Sequence, residues 1–133
     1  MNMAQIFLIV AAAGLTPIAL SYGVAPEASM RLLFDIPVQG VNLTHIFRAV
    51  MCLYFGFVVF WVMGARNKAL TRPALYTLVV FMAGLALGRA LSLIVDGMPH
   101  WLLFLYMVLE FLFAAAGVVM LKKLDAMEAS NEH

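Results

Sequence analysis

The chain has 133 residues, 65% of them hydrophobic and only 11% charged, with a mean hydropathy of +1.02, which excludes an ordinary soluble domain. A net charge of +1 without long runs of one sign excludes a nucleic-acid surface. The single cysteine, Cys52, excludes an internal disulfide and a Cys-x-x-Cys redox pair.

Four apolar stretches, near residues 4–22, 42–64, 73–95 and 99–121, each reach the roughly 20 residues that a helix needs to cross a bilayer. The expected fold is an all-α membrane protein: an antiparallel four-transmembrane-helix bundle with a short interfacial helix between the first two spans. Residues 1–123 form one domain, and 124–133 read as a flexible polar cytoplasmic tail.

The first span has no Lys or Arg ahead of it, so it reads as a transmembrane helix and not a signal peptide, despite the small run Ala11 to Gly14. Pro17 should kink it. Between Gly23 and Val41, Pro26 and Glu27 suit a helix start, and Met30, Leu32, Leu33, Phe34 and Ile36 supply apolar surface. That segment is either a short helix lying in the interface, placed to act as a lid over the polar stripe of the second span, or a loop anchored by its hydrophobes.

The second span opens with Asn42, His45 and Arg48 on one side, continued by Ala49, Cys52 and Gly56, so a polar stripe runs inward from the rim. Asn42-Leu43-Thr44 matches the glycosylation pattern, which recurs by chance and lies here at the membrane rim. In the third span Pro73 fits a first helical turn, and Gly84, Gly88 and Ser92 form a small-residue ridge expected to pack inside the bundle. Pro99 fits the first turn of the fourth span, where Ala114 to Gly117 repeat the ridge.

Arg66, Lys68, Arg72, Lys122 and Lys123 gather at one end of the spans, which by the positive-inside bias puts both termini in the cytoplasm. Trp61 and Tyr76 are expected in the inner interfacial belt, Tyr22 and Trp101 in the outer.

Arg48, Arg89 and Glu110 lie within the spans, where an unpaired charge costs roughly 2.5–3.5 kcal/mol, so they should face inward and pair. Side chains lean toward a helix N-terminus, which brings Arg89 and Glu110 together from helices of opposite direction. Arg48 leans toward the mouth, near His45 and Asp96. If Asp96 serves Arg48 the site is balanced; if Asp96 caps the fourth span, one positive charge remains for a ligand. Tyr106, one turn before Glu110, is placed to offer its hydroxyl to the carboxylate. His45 and His100 are too few for zinc or haem, and His133 belongs to the other side. Cys52 reads as a small packing residue.

The pattern Asn42-x-x-His45-x-x-Arg48, Met51-Cys52-Leu53-Tyr54, Gly88-Arg89-x-x-Ser92, Asp96-Gly97-x-Pro99 and Glu110 resembles a group of small bacterial four-helix membrane proteins catalogued as a domain of unknown function. The resemblance spans roughly Ile6 to Leu121 and implies a bacterial inner-membrane location; Cys52 departs from it, standing where a smaller residue such as glycine is more usual. More distantly the chain resembles DoxX-like proteins, some associated with quinol oxidation or thiol redox systems.

The residues Asn42, His45, Arg48, Arg89, Ser92, Asp96, Tyr106 and Glu110 are expected to form an outward-facing, non-catalytic pocket among the second, third and fourth spans. Arg48 and His45 would hold the polar end of a lipid or quinone-like amphiphile above a floor of Arg89 and Glu110. No cofactor is expected. One alternative is a structural accessory subunit whose Gly84/Gly88 face meets a membrane protein partner. The other is a small transporter or proton relay using Glu110, disfavoured because four helices leave little room for alternating access.

Overall fold

The computed structural model describes residues 1–132; His133, and with it the expected placement of that imidazole, lies outside the described residues. Five helices follow in order: α1 (Met3–Gly23), α2 (Pro26–Phe34), α3 (Val41–Arg66), α4 (Lys68–Asp96) and α5 (Trp101–Asn131). The described residues contain no strand. The long four are each apolar and long enough to cross a membrane, and α2 lies between the first two of them as expected.

The most buried of the four is α1. Asn2 starts it with a reciprocal capping box: its side chain accepts from the Gln5 amide at 2.9 Å, and its own amide donates to the Gln5 side chain at 3.0 Å. Its buried face, Ala4, Leu8, Ala11, Ala12, Leu15, Ala19 and Gly23, repeats every three or four residues and is mostly small. Helix α3 therefore packs close along it in the opposite direction, and a Cβ on Gly23 would collide with the Met51 Cβ.

Asn67 both ends α3 and begins α4. Its amide donates to the Met63 carbonyl at 2.9 Å, and its side chain accepts from the Ala69 amide at 3.0 Å. The Thr71 hydroxyl donates across the turn to the Gly64 carbonyl at 2.6 Å. These bonds start α4 at Lys68, so Pro73 sits inside the helix and not in its first turn. Similarly, Pro99 precedes α5, which begins at Trp101 because the His100 Nδ1 accepts from the Leu102 amide at 3.2 Å.

Trp61 lies at the centre of the α3–α4 contact, fully buried, and donates from Nε1 to the Thr77 hydroxyl at 3.2 Å. The expected place in an interfacial belt is thus corrected: the indole N–H finds its partner on the neighbouring helix, and Phe57 and Phe81 pack on its ring. Tyr76 and Trp101 are exposed, as belt residues require.

Beyond the expected end of the fourth span at residue 121, α5 continues as helix to Asn131. Arg72 holds this extension to α4 by donating to Asp125 and Glu128, each at 2.6 Å. Both acids are about two-thirds exposed, at 64% and 65%. Arg72→Ala should therefore cost less than about 1 kcal/mol per contact. Melting in detergent at low and high sodium chloride checks this: the difference from the parent should shrink as salt screens the pairs.

Helix α2 begins with Pro26 in its first turn and ends at Asp35, whose φ of 56° is the left-handed conformation that aspartate tolerates at a helix end. Its buried side, Pro26, Met30 and Phe34, faces the bundle, and Glu27, Arg31 and Leu32 face outward. Met30, Phe34 and Val38 pack on Tyr22, Phe47, Leu103 and Tyr106. Of the two forms left open for this segment, the structure has the helix, lying across the end of the bundle away from the termini.

Candidate functional site

Because α4 and α5 run in opposite directions, side chains that lean toward their own N-termini approach each other. Arg89 and Glu110 meet this way. The Arg89 Nε donates to both carboxylate oxygens, each at 3.0 Å, with the side chains only 21% and 11% exposed. Tyr106 lies one turn before Glu110, and its ring centroid is 5.7 Å from the Arg89 guanidinium carbon. This corrects the expected contact: the tyrosine stabilises the cation through its ring face, and its hydroxyl makes no hydrogen bond to Glu110 among the described residues. Phe34 of α2 packs edge-on against the same ring at 6.2 Å, so the interfacial helix rests on the ion-pair cluster.

Beside Glu110 the packing leaves a cavity of about 110 Å³. Ala11, Gly14, Leu15 and Ile18 of α1 form one wall, at the spacing of a single helix face, and Tyr54 of α3 closes part of the interior. Tyr106, Glu110 and Phe113 line the α5 side. The rim residues Gly14 and Leu109 are exposed, so the cavity opens at the flank of the bundle between α1 and α5. Those two helices touch sparsely, whereas α1 packs along α3 and α4 along α5. Tyr22 continues the aromatic lining, its ring edge-on to Tyr54 at 5.5 Å.

The polar stripe of α3 goes elsewhere. Arg48 donates from Nε to the Gly23 carbonyl at 3.2 Å, taking one of the carbonyls left free at the C-terminal end of α1. Asn42, His45 and Cys52 are exposed, and His45, Arg48, Ala49 and Cys52 border a shallow depression on the outer side of α3. Cys52 is accordingly not a packing residue. The register against α1, with Gly23 opposite Met51, turns Tyr54 and Trp61 inward and that stripe outward.

Asp96 neither serves Arg48 nor caps α5. It accepts from the Ser92 hydroxyl, one turn back on the same helix, at 2.5 Å, and His100 provides the cap. Ser92 and Arg89 share a second depression at the far end of α4 and α5 with Gly97 and Pro99. Of the eight expected residues the structure thus brings Arg89, Tyr106 and Glu110 into one cluster, sets Ser92 and Asp96 at its edge, and keeps Asn42, His45 and Arg48 apart. The cavity beside Glu110 is lined by α3, α4 and α5, the spans of the expected pocket, and in addition by α1.

The glycine ridges also divide. A Cβ on Gly84 or Gly88 would meet nothing within 4 Å among the described residues, so that face points out of the bundle, contrary to the expected internal packing. Gly117 is the residue that lets α5 approach α4, since a Cβ there would stand 2.6 Å from Val79 Cγ2. Sequence reasoning did not single out Tyr54, Gly14 and Leu15 as wall residues; the period of small residues along α1 was the available signal. Among the described residues no group of three His, Cys, Asp or Glu gathers in a way that could hold a metal ion.

Residues 3–121 match the family described as Domain of unknown function (DUF4345). The chain belongs to that family. The DUF4345 match runs from the start of α1 to the end of the apolar part of α5, so it contains both the ion pair and the cavity. It confirms the resemblance read from the sequence, and four apolar helices fit a small membrane protein. Searches among curated proteins and among solved structures gave no match. The more distant DoxX-like resemblance accordingly gains no support from these comparisons.

Proposed function

We propose that this DUF4345 protein is a non-catalytic integral membrane protein that binds a neutral amphiphile at the flank of its bundle, between α1 and α5. The observation that carries the reading is the apolar cavity with Glu110, Tyr54 and Tyr106 at its edge. Few convergent polar groups among apolar walls are the usual form of a site for a small molecule. A cavity of about 150 Å³ holds benzene. At about 110 Å³ this one suits a small ring or a few methylenes, and the remainder of the ligand would lie along the bundle among acyl chains.

Arg89 already balances Glu110, so the site carries no net charge that would call for an ionic head. This changes the expected arrangement: the polar end sits at Glu110 and the tyrosines, and His45 and Arg48 take no part. The cations Arg66, Lys68, Arg72, Lys122 and Lys123 at the end that carries the termini support a cytoplasmic placement of that end in a bacterial inner membrane.

Gly14→Leu provides the test. Gly14 lines the cavity and a Cβ there meets no described atom within 4 Å, so a leucine starts from open space and occupies the mouth of the cavity. Native mass spectrometry of protein extracted in mild detergent should show an amphiphile bound to the parent and absent from the variant, with melting unchanged or raised, since leucine favours helix over glycine. A parent protein that carries no amphiphile and takes up none from added lipid extract would sink the reading. The accessory-subunit alternative draws on one observation, the outward face of Gly84 and Gly88, and it requires a stoichiometric partner in the same preparation that Gly88→Leu releases.

A further inference from the structure

The unused hydrogen-bonding capacity at the edge of this cavity says what kind of head it accepts. An ionised carboxylate only accepts, and its two oxygens offer about four lone-pair sites. In Glu110 both oxygens share a single N–H, that of Arg89 Nε, and no other hydrogen bond reaches them among the described residues. The Tyr54 and Tyr106 hydroxyls, on residues lining the same cavity, also hold no protein hydrogen bond among the described residues. The two tyrosine hydroxyl hydrogens are thus fewer than the free lone pairs on Glu110 and the tyrosines, within mostly apolar walls where a further donor is favourable.

Resting on the reading above, we infer that the cavity selects an amphiphile whose neutral head donates a hydrogen bond through a hydroxyl group, on a phenolic ring or on a lipid glycerol. The hydroxyl hydrogen goes to a Glu110 oxygen, and the hydroxyl oxygen accepts from Tyr54 or Tyr106. A carbonyl head can accept from Tyr54 or Tyr106 but leaves the Glu110 oxygens without a further donor, so a quinone-like ligand is favoured in its hydroxyl form. A phosphate or carboxylate head finds no net positive charge to pair with, since Arg89 is already held by Glu110, and loses its water to apolar walls. An ammonium head finds a carboxylate already neutralised by Arg89 and loses its water to apolar walls.

The test compares hydroxyl compounds with their O-methylated forms, which lose the donor and gain one methyl, so the Glu110→Gln variant separates the lost bond from the added bulk. The probes are 4-decylphenol against 4-decylanisole, and a diacylglycerol against its methyl ether, with binding to the full-length protein in detergent followed by tryptophan and tyrosine fluorescence. The expected result is a preference of about tenfold for the hydroxyl form, the worth of one hydrogen bond to a charged acceptor. The pair that shows it names the source of the hydroxyl. Glu110→Gln, whose amide can itself donate, should reduce the preference; if that variant does not fold, comparison with the unsubstituted decylbenzene, smaller than either and without a donor, decides, and its binding as tightly as the phenol overturns the donor rule. Equal binding of both forms in both pairs, still abolished by Gly14→Leu, overturns the donor rule and leaves amphiphile binding standing. Failure of every probe, together with no amphiphile retained on purification, overturns both.

Discussion

Replacing Glu110 by leucine should destabilise the protein by about 3–5 kcal/mol, whereas replacing Glu110 by leucine and Arg89 by methionine together should cost much less. The reason is asymmetry. The single change leaves a guanidinium that is only 21% exposed, with its Nε unbonded and, beside the neighbouring Tyr22, the cation–π contact with the Tyr106 ring. Such a contact is worth about 0.5–2 kcal/mol, too little to offset a desolvated charge. The double change removes the charge with its partner and leaves apolar side chains of similar length between α4 and α5. Unfolding in detergent of the parent, both single variants and the double variant completes the cycle and isolates the coupling between the two residues. If the double variant loses as much as the sum of the singles, Arg89 and Glu110 are not tied to each other energetically. The same set separates structure from ligand: a double variant that is stable but no longer retains an amphiphile assigns the pair to binding as well as to folding.

The meeting of Arg89 with Glu110 was legible because it depends on local rules alone, namely the direction of each helix and the lean of its side chains. Arg48 follows the same lean, yet its partner is a backbone carbonyl of Gly23, and nothing in side-chain type marks that acceptor. Which carbonyl it meets depends on the register of α1 against α3, and that register rests on a glycine opposite Met51. The cavity escaped for a related reason: Ala11 and Gly14 contribute to its wall by what they lack. Trp61 read as an interfacial residue because its hydrogen-bond partner, Thr77, is sixteen positions away on the next helix. Composition from Lys123 onward suggested fraying, and α5 continues as helix to Asn131, along which Asp125 and Glu128, three apart, both reach Arg72.

The glycines provide the second large effect, and its sign differs from site to site. Gly64→Ala should destabilise the protein by about 1–3 kcal/mol, the usual cost of an extra methyl in a filled space. A Cβ at Gly64 would collide with the Ala74 Cβ and lie 3.1 Å from the Leu70 carbonyl oxygen, atoms that move only with the backbone of α4. Gly117→Ala should fall near the lower end of that range, because its obstacle is a Val79 methyl 2.6 Å away on a side chain. Gly88→Ala meets no described atom within 4 Å and should be neutral or stabilising by up to about 1 kcal/mol, since alanine favours helix over glycine. Melting of the three variants in the same detergent checks the order. A Gly88→Ala loss as large as that of Gly64→Ala would mean that the outward face of α4 is covered in the purified protein, by a second copy or another chain. The accessory-subunit reading would then gain the physical contact it now lacks, independently of what occupies the cavity on the α1 side.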